Sequence, residues 1–418
     1  MRLMRKKLGL ALCLAGLSLG QPGLAAVSAA ASGATDLRSA TELAWQRHPQ
    51  AAALDARDQQ ARAAQELAAG LTPEPASLSI GSRNDRYNNN LGQQEYELEL
   101  AVPLWLPGQK TARSAEAQAR VDEALSRRAA LRWEIAGTVR EAWWSLAAAR
   151  NAQTLAVRRV DTAGALDKDI QRRYQLGDVS RIDANLARSE LNLAQAELFE
   201  SEVALSEAEQ NFMLLSGTAA PVTLDQEQLS MGKSQRELID APLSHPLLAQ
   251  AANVFSSAQA RAKLAGQTQR AAPELALRMQ RERGASDQPY ANSIGLSLKI
   301  PFSSGAQNRE LNAGAQADSL QAEAELLQLK NKVQLNLEQL LRQQQAQQRQ
   351  LAIAGQSHAL SMDNLQLAEK AFQLGESDLS SLLRLRAAAY QAEAQLQRQR
   401  LAGAALISKI NQAMGVLP

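Results

Sequence analysis

The residue types best suited to catalysis or metal binding are three histidines and one cysteine, and their spacing favours structural roles. His48 and His245 each precede a proline and have no second candidate ligand nearby, so each is expected to start a helix rather than to bind a metal. His358 falls in a long apolar repeat, where it fits a polar position of a helix seam. Cys13 lies in an apolar N-terminal run, and removal of that run would leave no thiol for a disulfide or a metal site.

Motifs that carry enzyme chemistry are absent from the sequence. It contains no glycine-rich phosphate loop after a strand, no nucleophile elbow and no H-E-x-x-H zinc motif. We therefore expect a protein that is not an enzyme and that uses no cofactor or bound metal.

The N-terminus has the layout of a secretory signal peptide. Four basic residues precede the apolar run 8–20, and small residues that suit cleavage follow it. The run is too short for an ordinary membrane-spanning helix, so we expect a signal peptide over residues 1–26, with a retained anchor as the alternative. Without those four residues, 41 basic residues face 43 acidic ones, and this balance provides no basic surface that would favour nucleic acid.

Three pairs of landmarks recur at an offset of 197 or 198 residues, which indicates an internal duplication. The pairs are His48-Pro49 and His245-Pro246, Pro103 and Pro301, and Gly177 and Gly375. The first structural repeat is predicted over residues 36–217 and the second over 245–418, with a connector at 218–244.

Each repeat contains two stretches in which apolar and polar residues alternate strictly, and this pattern predicts a β-hairpin. The strands are expected within residues 76–106 and 274–303. Leu98, for example, alternates with Glu97 and Glu99. One apolar and one polar face suit the wall of a membrane barrel, and they suit equally a soluble sheet packed on helices. Aromatic residues that could form an interfacial girdle stand near the strand ends: Trp105, Tyr290 and Phe302.

A long helix without internal proline follows the hairpin in each repeat. Apolar residues three, four or seven positions apart over residues 111–174 and 326–372 predict heptad-like, coiled-coil seams. About 60 residues at ~1.5 Å each would extend roughly 90 Å, which is longer than a compact domain needs. Gln344 and Gln347 occupy seam positions, so the polar side could face either a water-filled interior or bulk solvent.

Each long helix ends at a Gln-Leu-Gly turn, after which a second helix returns. Gly177 and Gly375 suit the left-handed position at a helix C-terminus. Each repeat therefore contains an αα-hairpin whose tip, at residues 174–183 or 372–381, lies far from the strands.

In this order of motifs the sequence resembles the TolC family of outer-membrane efflux channels. The resemblance covers about residues 36–416 and rests on the duplicated His-Pro helix starts, the "VPL…GQK" and "IPFSSGAQN" strand exits, and the glycine tips. It implies a mainly α fold with a small β part, in which duplicated long helical hairpins form a periplasmic α-barrel. Four strands per subunit would complete a 12-stranded, trimeric β-barrel in the lipid of the Gram-negative outer membrane.

The resemblance also implies partners and a mechanism. A homotrimer of this kind conducts passively, while an inner-membrane pump supplies the energy and a periplasmic adaptor (membrane fusion) protein docks on the helical tips. The alternative is that the tip residues only stabilise the turn and do not contact an adaptor. The tip residues that match the adaptor-contacting positions are Tyr174, Leu176, Gly177, Asp178 and Asp183, and Phe372, Leu374 and Gly375.

A departure from the family pattern concerns the pore constriction. Tip carboxylates of the second repeat narrow the pore in the best-known member, but Ser381 and Arg384 stand at the matching positions here. Asp183 of the first repeat does match a family acid. The constriction is therefore expected to use either a basic ring from Arg384 or another arrangement of the tip acids, namely Asp178, Asp183, Glu376 and Asp378.

The chain is similar to the CzcC-like branch of this family in its compactness and short C-terminus. That branch serves heavy-metal cation pumps of the resistance-nodulation-division (RND) type, so the resemblance implies metal cations as cargo. No clustered ligand motif selects a metal, and drugs, other small molecules or a secreted protein are alternatives. A soluble periplasmic coiled-coil scaffold is a further alternative, which the duplicated strand pairs disfavour.

Overall fold

A computed structural model describes residues 36–230, 245–302 and 305–418 of the chain. The predicted signal peptide and part of the predicted connector, 231–244, lie outside the described residues. The described elements are α1 (Leu37–Arg47), α2 (Pro49–Ala69), β1 (Ser77–Asn84), β2 (Gln94–Pro103), α3 (Gln109–Leu176), α4 (Arg181–Ser216), α5 (Pro246–Gln267), β3 (Glu274–Arg283), β4 (Ala291–Lys299), α6 (Gly305–Gln373) and α7 (Leu379–Ala413). The prediction of a mainly α fold with a small β part is confirmed.

The two repeated histidines start helices, as predicted. The Nδ1 atom of His48 accepts a hydrogen bond from the backbone N–H of Gln50 (3.3 Å), and that of His245 accepts one from Leu247 (3.2 Å). Each histidine is followed by a proline at the first helical position, where the missing N–H costs nothing. The His245 ring is buried edge-on against Trp133 with 5.1 Å between ring centroids, and this burial lowers the pKa of His245.

The four strands form one antiparallel sheet in the order β1-β2-β3-β4. The central pair, β2 and β3, joins the two repeats, with Leu98 opposite Met279 and Leu100 opposite Leu277. The outer strands β1 and β4 therefore each have one side without a partner strand in this sheet.

The helices repeat the order of the strands. Near the sheet, α2 packs on α3, α3 on α5, and α5 on α6. Towards the tips, α4 packs on α3, α3 on α7, and α7 on α6. Along α6, the shorter helix α5 packs near the sheet and α7 packs near the tip. Helix α6 therefore forms one edge of the layer. The other edge is formed by α2 near the sheet and by α4 near the tips. None of the helices in the described ranges contains the stretch of apolar residues that a membrane-spanning helix needs.

A buried polar clamp fastens the chain where the described part of the connector meets α3 and α7. The guanidinium of Arg140, which is buried, donates to both carboxylate oxygens of Glu227 (2.7 and 3.0 Å) and also bonds Gln412. Trp133 and Gln412 exchange two further hydrogen bonds, Trp133 Nε1 to the Gln412 carbonyl (2.9 Å) and Gln412 Nε2 to the Trp133 carbonyl (2.7 Å). Because the side chains of Arg140, Trp133 and Gln412 all form hydrogen bonds in this cluster, the clamp holds the end of α7 against α3.

Candidate functional site

One face of the sheet is apolar and exposed. The antiparallel register aligns its side chains across all four strands, so that Leu100 lies between Leu78 and Leu277, for instance. The aligned residues are Leu78, Ile80, Leu98, Leu100, Val102, Leu275, Leu277, Met279, Ile294, Leu296 and Leu298. All but Val102 are exposed, by 36% to 79%. Soluble monomeric proteins rarely expose a continuous apolar face of this kind, so the face indicates a surface that contacts lipid or another protein.

The opposite face of the sheet is polar and carries paired charges. Arg278 of β3 lies 2.7 Å from carboxylate oxygens of both Glu97 and Glu99 of β2. Gln280 donates to Glu95 (3.0 Å) and to Glu282 (2.9 Å). Alternation places five carboxylates and three basic groups on this face, a formal charge of −2 per chain; they are Glu95, Glu97, Glu99, Glu274 and Glu282, against Arg83, Arg278 and Lys299. On β2 the glutamates are half-buried while the leucines are exposed, so the polar face is the more shielded one.

The tip glycines have the left-handed backbone that the sequence predicted. Gly177 has φ 82° and Gly375 has φ 77°, and each follows the end of a long helix. The residues after them close the turns, because the N–H of Asp178 bonds the carbonyl of Arg173 (2.9 Å) and that of Glu376 bonds the carbonyl of Ala371 (2.8 Å). No neighbouring atom lies within 4 Å of the position that a Cβ would take at either glycine, so backbone conformation alone requires glycine here.

Two of the tip acids take part in capping the returning helices, Asp183 as the third residue of a capping box and Asp378 as the cap itself. Asp183 accepts hydrogen bonds from the backbone N–H (3.1 Å) and hydroxyl (2.7 Å) of Ser180, which in turn caps α4. Asp378 caps α7 by accepting from the N–H of Ser381 (3.0 Å), and the hydrogen bonds from Ser381 hold the pKa of Asp378 below its usual value. The capping box of α4 is visible in the sequence, since Ser180 precedes Asp183 by three residues at the start of a helix.

The other tip residues are mostly exposed in the single chain. Leu176 and Leu374 expose 70% and 74% of their surface, and Tyr174, Asp178, Glu376 and Arg384 are exposed as well. Phe372 is half-buried beneath the guanidinium of Arg173, 5.6 Å from its ring centroid, so this contact ties the two tips together. Sequence reasoning missed Arg173 because nothing in the spacing indicates which residues face each other across two hairpins.

The helical layer also has an exposed apolar stripe along each of its edges near the tips. The α6 stripe consists of three residues spaced by seven positions and exposed by 57% to 67%: Ile353, Leu360 and Leu367. The α4 stripe lies on the opposite edge and contains Ile182, Leu186, Leu193, Phe199 and Val203. Sequence analysis found the seam of α6 that packs on α7 and missed this second stripe, although its seven-residue spacing was visible.

In the described ranges, no group of three or more histidine, cysteine, aspartate or glutamate residues is placed to hold a metal ion. The geometry offers two surfaces for contact with other molecules: an amphipathic sheet with open edges, and a pair of exposed helical tips.

Comparison with known proteins identifies the fold. No protein-family model matches the sequence, and no curated protein matches it. The structure is similar to CusC, whose crystal structures describe conformational changes accompanying folding and transmembrane channel formation (TM-score 0.76, 14% identity, 91% of this chain and 92% of CusC). It is also similar to the outer-membrane protein VceC of Vibrio cholerae (TM-score 0.73, 15% identity, 91% and 96%) and to the open state of the MtrE outer-membrane channel of Neisseria gonorrhoeae (0.71, 14%, 91% and 89%). The chain therefore has the fold of these outer-membrane channel proteins.

Proposed function

We propose that this protein is the outer-membrane channel of a tripartite efflux system and that it conducts its cargo passively. The observation that carries the proposal is the amphipathic sheet at the end of the helical layer, with an exposed apolar face and a polar face opposite. An apolar face of this kind matches lipid, and a polar face matches a water-filled lumen. The likeness to VceC and MtrE supports the same assignment.

Closure of the sheet requires other copies of the chain. Lipid tolerates no open strand edge, and β1 and β4 each have one. Because the strands alternate in direction, β4 of one copy would meet β1 of the next in antiparallel pairing. Three copies would form the 12-stranded barrel that the resemblance implies.

The helices support association through the same two edges. Strand β4 leads into α6, and β1 follows α2, so the strand edges and the helix edges lie on corresponding sides of the chain. The α6 stripe of one copy would pack against the α4 stripe of its neighbour and bury apolar surface that is exposed in the single chain.

The oligomer and its location are tested together. Membranes from cells that express the full chain are fractionated, extracted with detergent and run on a gel with and without boiling. We expect an outer-membrane band that migrates as a trimer and shifts to the monomer on boiling. A chain that stays soluble without detergent and runs unchanged would instead indicate a periplasmic scaffold.

We assign the adaptor contact to the exposed tips. Leu176 and Leu374 project into solvent beside the glycine turns, which is the position of an apolar contact with a partner helix. The adaptor would connect the channel to an RND-type pump in the inner membrane. Photo-crosslinking from these two positions should capture the adaptor, and capture from mid-helix positions alone would reject the assignment.

Heavy-metal cations are the cargo that we propose. The resemblance to the metal-exporting branch motivates this choice, and the formal charge of −2 on the polar face of each sheet favours cations over anions in the lumen. A strain without the gene should become sensitive to zinc, cobalt, cadmium or copper salts and recover on complementation. Sensitivity to drugs alone would favour the alternative cargo and leave the channel assignment intact.

A further inference from the structure

The apolar face of the sheet continues into a polar segment towards its loops. Beyond Met279 on β3, the same face presents Arg281 and then Arg283, because alternate residues of a strand share a face. Their partners across the sheet are Tyr96, opposite Arg281, and Gln94, opposite Arg283. The outward face therefore ends in two arginines at the side of the sheet remote from the helices.

Both arginines lie over one tyrosine ring. The guanidinium carbons of Arg281 and Arg283 are 4.5 Å and 5.0 Å from the centroid of the Tyr290 ring. The ring is fixed by a hydrogen bond from its hydroxyl to the side chain of Gln94, and Arg283 is fixed by a bond from its Nε to the carbonyl of Gly92 (3.1 Å). The arrangement is therefore organised before any ligand arrives.

These arginines differ from the two on the polar face of the same sheet. Arg83 and Arg278 both form ion pairs with glutamates of β2. In the part of the chain that the structure describes, neither Arg281 nor Arg283 forms an ion pair with a carboxylate. Two like charges held against one ring repel each other, and an anion bound beside them would relieve that repulsion.

We propose that Arg281, Arg283 and Tyr290 form a binding site for the phosphate group of a lipid headgroup in the outer leaflet of the membrane. This inference rests on the proposed function, which makes the apolar face of the sheet the surface in contact with lipid. The last apolar row contains Ile80, Leu98 and Met279. Arg281 and Arg283 occupy the next two rows of the same face, where hydrocarbon would give way to headgroups. Guanidinium groups bind phosphate oxygens in bidentate fashion, and the exposed Arg281 has donors free to do so.

Lipid retention by the purified trimer tests the site. Detergent-solubilised trimer is mixed with equal amounts of phosphatidic acid and of an uncharged glycolipid with the same acyl chains, and native mass spectrometry counts the lipids retained. Each arginine near a charged membrane surface accounts for about a fivefold difference in binding. The double variant Arg281→Gln/Arg283→Gln should therefore retain phosphatidic acid roughly 20- to 30-fold more weakly than wild type, with glycolipid retention unchanged.

The strand itself provides a matched control. Arg278→Gln removes an arginine from the polar face of β3 and should leave phosphatidic acid retention unchanged. The single variant Arg281→Gln keeps the hydrogen bond between Arg283 and Gly92. It therefore tests the site even if the double variant fails to fold. Equal retention by all variants, or an equal loss of both lipids, would overturn the site. Inorganic phosphate that binds the trimer as tightly as phosphatidic acid does would also overturn it, since a free anion would then be the ligand.

If the proposed channel function is wrong, the experiment gives a different result from the one that rejects only the lipid site. A chain that forms no detergent-stable oligomer would reject the channel assignment and the lipid site with it. An intact, heat-modifiable trimer that does not discriminate between the lipids would reject the lipid site only.

Discussion

Truncation of the α6 stripe should weaken the proposed trimer and leave the folded single chain unchanged. In the single chain Leu360 and Leu367 expose 67% and 57% of their surface, so they contribute little to its core. Burial of this surface against α4 of a neighbour would stabilise the trimer by ~1–2 kcal/mol per leucine. Two leucines at each of three interfaces then contribute roughly 6–12 kcal/mol, and replacement of both by alanine removes most of it.

Dissociation of the trimer on a semi-native gel measures this loss. Trimers of Leu360→Ala/Leu367→Ala should dissociate at a clearly lower temperature than wild type, while the helix content of the variant stays unchanged by circular dichroism. The matched control is Gln348→Ala/Gln366→Ala, which alters exposed positions of α6 that do not belong to the stripe. A stripe variant that dissociates with wild type, or a control variant that dissociates equally early, would refute the proposed packing of α6 on α4.

Three further predictions concern the clamp, the buried histidine and the tip. Glu227→Ala leaves the buried Arg140 without its carboxylate partner, so the free energy of unfolding should fall by about 3–5 kcal/mol in chemical denaturation. The control Glu376→Ala, at an exposed tip position, should change that free energy little. Because burial lowers the pKa of His245, the unfolded chain binds the proton more readily, so stability should be full above the unfolded pKa of about 6.5 and fall as the pH drops below it. His245→Asn, which keeps a capping side chain, should flatten that pH dependence in thermal melts, and an unchanged slope would reject this explanation. Arg384→Ala should raise the cation conductance of reconstituted trimers if this exposed arginine lines the constriction, and an unchanged single-channel current would exclude it from the gate.

Local rules account for the elements that sequence analysis predicted well. The helix starts follow from His-Pro, the helix ends from glycine, and the long helices from seam spacing without proline, because each depends on residues within a few positions of one another. The existence of four strands followed likewise from strict alternation.

Contacts between distant segments were not accessible in the same way. The pairing of β2 with β3 joins residues about 180 positions apart, as between Glu99 and Arg278, and no local pattern specifies it. The same applies to the stacking of Arg281 and Arg283 on Tyr290, since it depends on which face of β3 each arginine occupies. The sequence suggests Asp183 and Asp378 as pore acids, and the structure adds a capping role that follows from their places at the helix starts.

Membrane insertion and association of copies are linked under the proposed function. Duplication of the repeat doubled the number of strands, yet the sheet still ends in two open edges, at β1 and β4. Each unpaired backbone group costs several kcal/mol in hydrocarbon, and an edge strand of eight or nine residues has several such groups. A single copy would therefore face a prohibitive cost in lipid, while its exposed apolar face is unfavourable in water. Pairing β4 with β1 of the next copy removes the first cost, and lipid removes the second. Because neither step is favourable without the other, the barrel must form and enter the membrane in one coupled process.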